Sequence, residues 1–218
     1  MPTTKGMDIE VEFRFEVKDM NLVRDFLKSA IFVRKVRQID VYFDVESGDF
    51  YKKGAFIRTR NSTSLDFKFN LDPADNRHEH CNESSFPLPL SKGDLSGLSS
   101  VCKILGLQVP GMPDFKAFLE LNRLKELFTI DKTRESFVDG PFTICLDDIP
   151  GFGKFMEVEV MAKTGDNLDS IKRQIINKVK VLDPHFLSAG YAELLIKKIN
   201  PELYMQGRFL FSEDKSKA

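Results

Sequence analysis

Glu10-Val-Glu12-Phe-Arg14 sets two carboxylates and a guanidinium at every second residue. Side chains alternate across a β-strand, so these three share one face, and Ile9, Val11, Phe13 and Phe15 share the other. Two carboxylates about 7 Å apart along a strand, beside an Arg, could hold a cation and an anion together. A solvated outer face would tolerate the same residues, so this stretch alone does not choose between the two readings. The pattern recurs in Glu157-Val-Glu159, Arg58-Thr-Arg60, Lys132-Thr-Arg134 and Arg77-His-Glu79, with Lys68 and Asp147 on the polar faces of two further alternating stretches. The first and last strands are acidic and the middle ones basic. Clustered Arg and Lys turned away from water call for a polyanion: Arg forks bind phosphate oxygens in pairs, and Lys adds a point charge. Acidic pairs in the same space would repel phosphate unless a divalent cation, Mg²⁺ or Mn²⁺, sat between them. The residues therefore point to metal–polyphosphate chemistry.

The elements that must position these groups are mostly strands. Alternation predicts strands over 9–16, 33–44, 55–60, 65–70, 77–86, 128–137, 142–147 and 154–160. Helical spacing predicts helices over 21–31, capped by Asn21, and over 95–105, 114–127, 167–181 and 191–199. No repeated βαβ rhythm is present, so the fold class is α+β with a largely antiparallel sheet. Each strand has an apolar face that needs a core and a charged face that needs somewhere else to go. A closed eight-stranded antiparallel β-barrel with a polar lumen, flanked by helices, satisfies both. We expect one domain over residues 1–200 and a C-terminal extension over 201–218, its charged end from Ser212 frayed.

A net charge of −1 gives no general attraction to nucleic acid or an anionic membrane, so anion binding must come from a local cluster. The expected partner is a small molecule, with no nucleic acid and no membrane. The three cysteines are few and widely spaced, which predicts no disulfide framework and a reducing, cytoplasmic setting. The start of the chain has no apolar leader core, and no apolar run approaches about 18 residues. No P-loop, G-x-G-x-x-G or Ser–His–Asp arrangement occurs. His78 and His80 would share a strand face, as zinc ligands do. His185 reads as a surface residue.

The ordered blocks resemble the CYTH superfamily, the triphosphate tunnel metalloenzymes. They are Glu10-Val-Glu12-Phe-Arg14, Gln38–Asp44 with Gly54–Arg60, Lys68, Lys132-Thr-Arg134, Leu146–Glu159 and Gly190–Leu195. Together they look most like the class IV adenylyl cyclase and thiamine triphosphatase members. Where that family has Lys on its first strand, Arg14 keeps the charge and changes its reach. The resemblance implies Mg²⁺ or Mn²⁺ on Glu10, Glu12, Glu157 and Glu159, with Asp147 a further candidate. It implies a triphosphate held by Arg14, Arg58, Arg60, Lys68, Lys132 and Arg134. Either Glu79 or Glu83 fills the next acidic position. Lys68, Asp44 and Tyr191 are the candidate catalytic groups. Hydrolysis of an inorganic, thiamine or nucleoside triphosphate is the first expectation. Adenylyl cyclisation is the alternative, and a non-catalytic polyphosphate-binding module is the reading of another class. The family's habit of pairing makes a homodimer a further expectation.

Overall fold

The computed structural model describes residues 9–72, 80–163 and 165–216. Its strands are β1 (Ile9–Glu16), β2 (Ile31–Asp44), β3 (Ala55–Arg60), β4 (Ser64–Phe69), β5 (His80–Pro87), β6 (Lys125–Asp139), β7 (Phe142–Ile149), β8 (Gly153–Ala162) and β9 (Phe186–Leu187). The helices are α1 (Met20–Phe26), α2 (Asp49–Lys52), α3 (Asp94–Leu105), α4 (Phe115–Leu121), α5 (Leu168–Val179), α6 (Tyr191–Ile199) and α7 (Pro201–Met205). The hydrogen-bonded order is β5-β4-β3-β2-β6-β7-β8-β1-β9, and β5 also pairs with β1. Eight strands thus form the expected closed antiparallel β-barrel, with β9 added on β1 and helices flanking. Among the described residues, no helix is long and apolar enough to cross a membrane.

The chain divides into two compact units. One comprises Met1–Arg37, Arg77–Cys81 and Asp131–Gly190; the other comprises Gln38–Asn76, Asn82–Ile130 and Tyr191–Ala218. In the first, Val11 and Phe15 of β1 pack with Ile144, Met156 and Val158 and with Ile175 and Val179 of α5. Full burial of each such side chain contributes about 1.5–3 kcal/mol. The opposite face of β1 is buried as well, with Glu12 6 % and Arg14 8 % exposed. A simple two-layer sheet would have left that face in water. In the second unit, Ile57, Leu65, Phe67 and Phe69 form the core with Leu98 and Cys102 of α3 and Phe118 of α4.

Several element boundaries differ from expectation. Asp19, not Asn21, caps α1: its carboxylate accepts from the Asn21 and Leu22 amides, which leaves Asn21 inside the first turn. Helix α4 stops at Leu121 instead of running to residue 127. The Asn122 amide donates to the Phe118 and Gln108 carbonyls and accepts from the Gln108 amide, and Arg123 takes a positive φ. β6 can then start at Lys125.

The end of the chain does not fray where it is described. Asp214 is 4 % exposed, accepts from the Tyr204 hydroxyl at 2.8 Å and pairs with Lys197. Phe209, Leu210 and Phe211 are buried. At Gly207 a Cβ would lie 2.4 Å from the Tyr51 hydroxyl, so only glycine permits this approach. Periodicity could not reveal the docking, because Tyr51 lies more than 150 residues from Tyr204 and Gly207 in sequence.

Candidate active site

In the first unit, Glu10 and Glu12 alternate onto one face of β1, and Glu12 lies in register with Glu159 of β8. A carboxylate oxygen from each of Glu10, Glu12 and Glu159 lies within 4.8 Å of the other two. Burial raises the Glu159 carboxyl above the usual range, and the charges of Glu157 and Glu12 raise it further; Glu10 and Arg134 oppose them. Three crowded carboxylates that resist sharing their charge, all offering oxygen, suit a hard divalent cation. The donor set fits the expected metal.

Beside this trio runs an alternating chain of charges. Arg14 donates through Nε to Glu157 at 2.9 Å and through Nη2 to Glu12 at 3.2 Å. Arg134 bridges Glu157 at 2.9 Å and Asp147 at 2.6–2.7 Å. Lys132 donates to Asp147 at 3.0 Å. Burial opposes ionisation of Asp147, yet Arg134 and Lys132 hold its carboxyl below the usual range. Burial likewise works against the Arg134 charge, and Glu157 and Asp147 outweigh it. Of the five carboxylates assigned to metal from sequence, the structure gathers Glu10, Glu12 and Glu159. It gives Glu157 and Asp147 to cations. The reason is register: Arg14 pairs with Glu157, and Arg134 pairs with Asp147.

The second unit carries its own cationic cluster. Arg58 and Arg60 alternate onto one face of β3 and share Asp40, which is 2 % exposed. Arg60 is bidentate to it at 2.9 and 3.1 Å, and Arg58 lies 3.6 Å away. Arg58 also donates to the Tyr42 hydroxyl at 3.3 Å and to Asp66 at 3.4 Å, and Asp66 accepts from Ser85 at 2.6 Å. Burial opposes the Arg58 charge, but Tyr42, Asp40 and Asp66 together hold its pKa above the ordinary value. Lys68 pairs with Glu83 at 2.8 Å, its register partner. A cavity of about 370 Å³ opens among Arg58, Arg60, Lys68 and Ser85. Rigidly oriented guanidiniums, with carboxylates behind them, suit the recognition of phosphate oxygens.

Asp40, Asp66 and Tyr42 were not singled out from sequence. A signal existed for Asp66, which alternates onto the face of Lys68. For Asp40 and Tyr42 it lay in the Gln38–Asp44 block. Among the candidate catalytic groups, Lys68 lies in the cationic cluster. Asp44 is 3 % exposed and accepts from the Val45, Phe50 and Tyr51 amides, so its oxygens hold the turn into α2. Tyr191 opens α6 and is buried. Arg77, His78 and Glu79 lie outside the described residues, as does the side chain of His80. Glu83 is the described acidic partner of Lys68. His185 is exposed.

The fold is a closed antiparallel barrel, and its first unit carries the carboxylate trio beside the buried Arg14. The CYTH domain matches residues 8–186, and the chain belongs to that family. A Methanocaldococcus jannaschii protein provisionally named an adenylate cyclase is 24 % identical over 191 residues, 85 % of this chain and 98 % of the relative. A conserved Pyrococcus furiosus protein of known structure is 26 % identical, covering 85 % of this chain and 99 % of that one, with a TM-score of 0.57. A Hippeastrum protein provisionally named an adenylyl cyclase, and described as having a dominant triphosphatase activity, shares the fold. It is 16 % identical, with a TM-score of 0.56, covering 88 % of this chain and 95 % of that one.

Proposed function

We propose that this protein is a divalent-metal-dependent enzyme acting on a triphosphate, most simply as a phosphohydrolase. The observation that carries this reading is the carboxylate trio Glu10, Glu12 and Glu159, which adjoins a network of buried Arg and Lys within one compact unit. A module that only bound polyanions would gain affinity by losing those carboxylates. Their retention supports metal chemistry.

Glu10, Glu12 and Glu159 would hold Mg²⁺ or Mn²⁺. When bound, the ion supplies charge neutralisation on phosphate oxygens and acidifies a water. Arg14, Lys132 and Arg134 supply donors to phosphate oxygens, and their present carboxylate partners keep them oriented until an anion arrives. Arg58, Arg60 and Lys68 form a second set of anion donors, with Asp40, Asp66, Glu83 and Tyr42 fixing their directions. Charge developing on a leaving phosphate would fall on groups already in place, which saves reorganisation at the moment of reaction.

Cyclisation of ATP to cyclic AMP and pyrophosphate is the second reading, favoured by the name of the Methanocaldococcus relative. Phosphorus NMR with Mg²⁺ or Mn²⁺ and, separately, inorganic triphosphate, thiamine triphosphate and ATP decides between them. Orthophosphate with a diphosphate product is the expected result. Pyrophosphate with cyclic AMP would move cyclisation to the front. Broadened triphosphate resonances with no product would overturn both and leave a binding module.

A further inference from the structure

The ladder of β6 and β7 has two faces. Lys132, Arg134 and Asp147 occupy one. On the other, Thr133, Glu135 and Leu146 line a cleft of about 620 Å³ that runs beneath α1. Its floor is apolar: Leu27 and Leu146 are 7 % and 9 % exposed, and Phe137 packs beside them. Its rim is charged but mostly neutralised. Lys35 pairs with Glu135 at 2.8 Å, and Lys154 pairs with Asp148 at 2.5 Å. Arg24, in the last turn of α1, lines the same cleft and makes no hydrogen bond or ion pair among the described residues. Asp147 also lines the cleft, but its carboxylate is committed to Lys132 and Arg134, so Arg24 is the uncommitted charge at the rim among the described residues, over an apolar base.

We propose that this cleft binds a small organic anion with an apolar body. The charged group sits on Arg24, and the body lies over Leu27, Leu146 and Phe137. The volume falls in the range of small-molecule sites, about 300–1,000 Å³. A polyphosphate would find one uncommitted cation and an apolar floor that offers it nothing, so the cleft selects against triphosphate. A neutral apolar molecule would leave Arg24 unused. A carboxylate or sulfonate on a hydrocarbon or aromatic frame matches both features. The inference does not rest on the proposed reaction, because Arg24, Leu27, Phe137 and Leu146 serve neither the carboxylate trio nor the cationic clusters.

The test uses the full chain and 8-anilinonaphthalene-1-sulfonate, which joins an aromatic body to one sulfonate. We expect a saturable one-to-one fluorescence rise that decanoate displaces and inorganic triphosphate does not. Arg24→Glu should weaken binding about tenfold or more, the loss of one charge-assisted hydrogen bond, while Arg24→Lys should stay within about threefold of the parent. Amide resonances of Thr133, Glu135 and Asp148 should shift on titration. Unchanged binding by an Arg24→Glu variant of native circular dichroism would overturn the proposal. So would amide shifts confined to other residues, or the absence of saturation in the parent protein. The amide map reads the parent protein alone, so it stands even if Arg24→Glu unfolds.

Discussion

Arg14 and Glu157 face each other across the β1–β8 ladder, 143 residues apart in sequence, with Arg14 Nε 2.9 Å from Glu157 Oε2. Both side chains are more than nine-tenths buried. Glu157 also accepts from Arg134, so one carboxylate balances two guanidiniums. Removing one member of a buried pair leaves its partner's charge uncompensated. Glu157→Gln should lower the unfolding free energy by about 3 kcal/mol, read from urea midpoints, and should abolish turnover. Arg14→Gln added to Glu157→Gln should recover part of the stability and none of the turnover.

The carboxylate trio predicts where a cation binds. Glu12→Gln and Glu10→Gln should each weaken Mn²⁺ binding about tenfold or more, followed by electron paramagnetic resonance of the free ion. Asp147→Asn should change Mn²⁺ affinity less, because Lys132 and Arg134 already hold its oxygens. Equal losses in the two classes would assign Asp147 to the metal.

The pH dependence has a definite sign. Glu159 is raised by burial and by its acidic neighbours, so the metal-free fold binds more protons there than the unfolded chain does. Its contribution therefore favours the fold at acid pH and is lost as pH rises from the ordinary glutamate value through the raised one. Asp147 runs the other way: its stabilisation is present at neutral pH and is lost as pH falls below the ordinary aspartate value towards the lowered one. A cation must displace the Glu159 proton, so Mn²⁺ affinity should fall as pH is lowered towards the ordinary glutamate value. Glu159→Gln should flatten that dependence, which calorimetric titrations at several pH values would show.

The Arg58 cluster separates contact from orientation. Arg58→Ala should weaken triphosphate binding by about 2–3 kcal/mol through loss of a charged donor. Tyr42→Phe removes only the hydroxyl that accepts from Arg58 and should cost about 0.5–1.5 kcal/mol. Equilibrium binding of inorganic triphosphate in Ca²⁺ would measure both.

The docked C-terminal segment predicts a stability effect of its own. Asp214→Asn removes the charged acceptor of the Tyr204 hydroxyl and leaves Lys197 only the longer contact to Glu213, at 3.6 Å, and should cost about 1–3 kcal/mol. Gly207→Ala forces the Tyr51 ring aside and should cost about 1–3 kcal/mol. Thermal melts would report both. Native melting of both variants would show that the segment adds nothing to the fold.

Alternation by itself determined most of the strands and the side on which each charge falls. Glu10, Glu12 and Arg14 had to share a face, as did Arg58 and Arg60, because a strand repeats every two residues whatever surrounds it. Composition made those faces too charged for a core and too consistently sorted for an arbitrary surface. Helices were legible wherever the apolar stripe was long, as in α5 and α6. Their ends were less so, because Asp19 and Asn122 act through side-chain hydrogen bonds that periodicity does not record. Tertiary structure alone decided which carboxylates meet one another and which meet cations. Glu157 and Glu159 are equivalent in sequence, yet register places one against Arg14 and the other against Glu12. A shift of two residues would have changed which of them meets Arg14, a shift of one would have turned both to the other face, and pairing between strands nearly 150 residues apart is set by packing of the apolar face, not by any local signal.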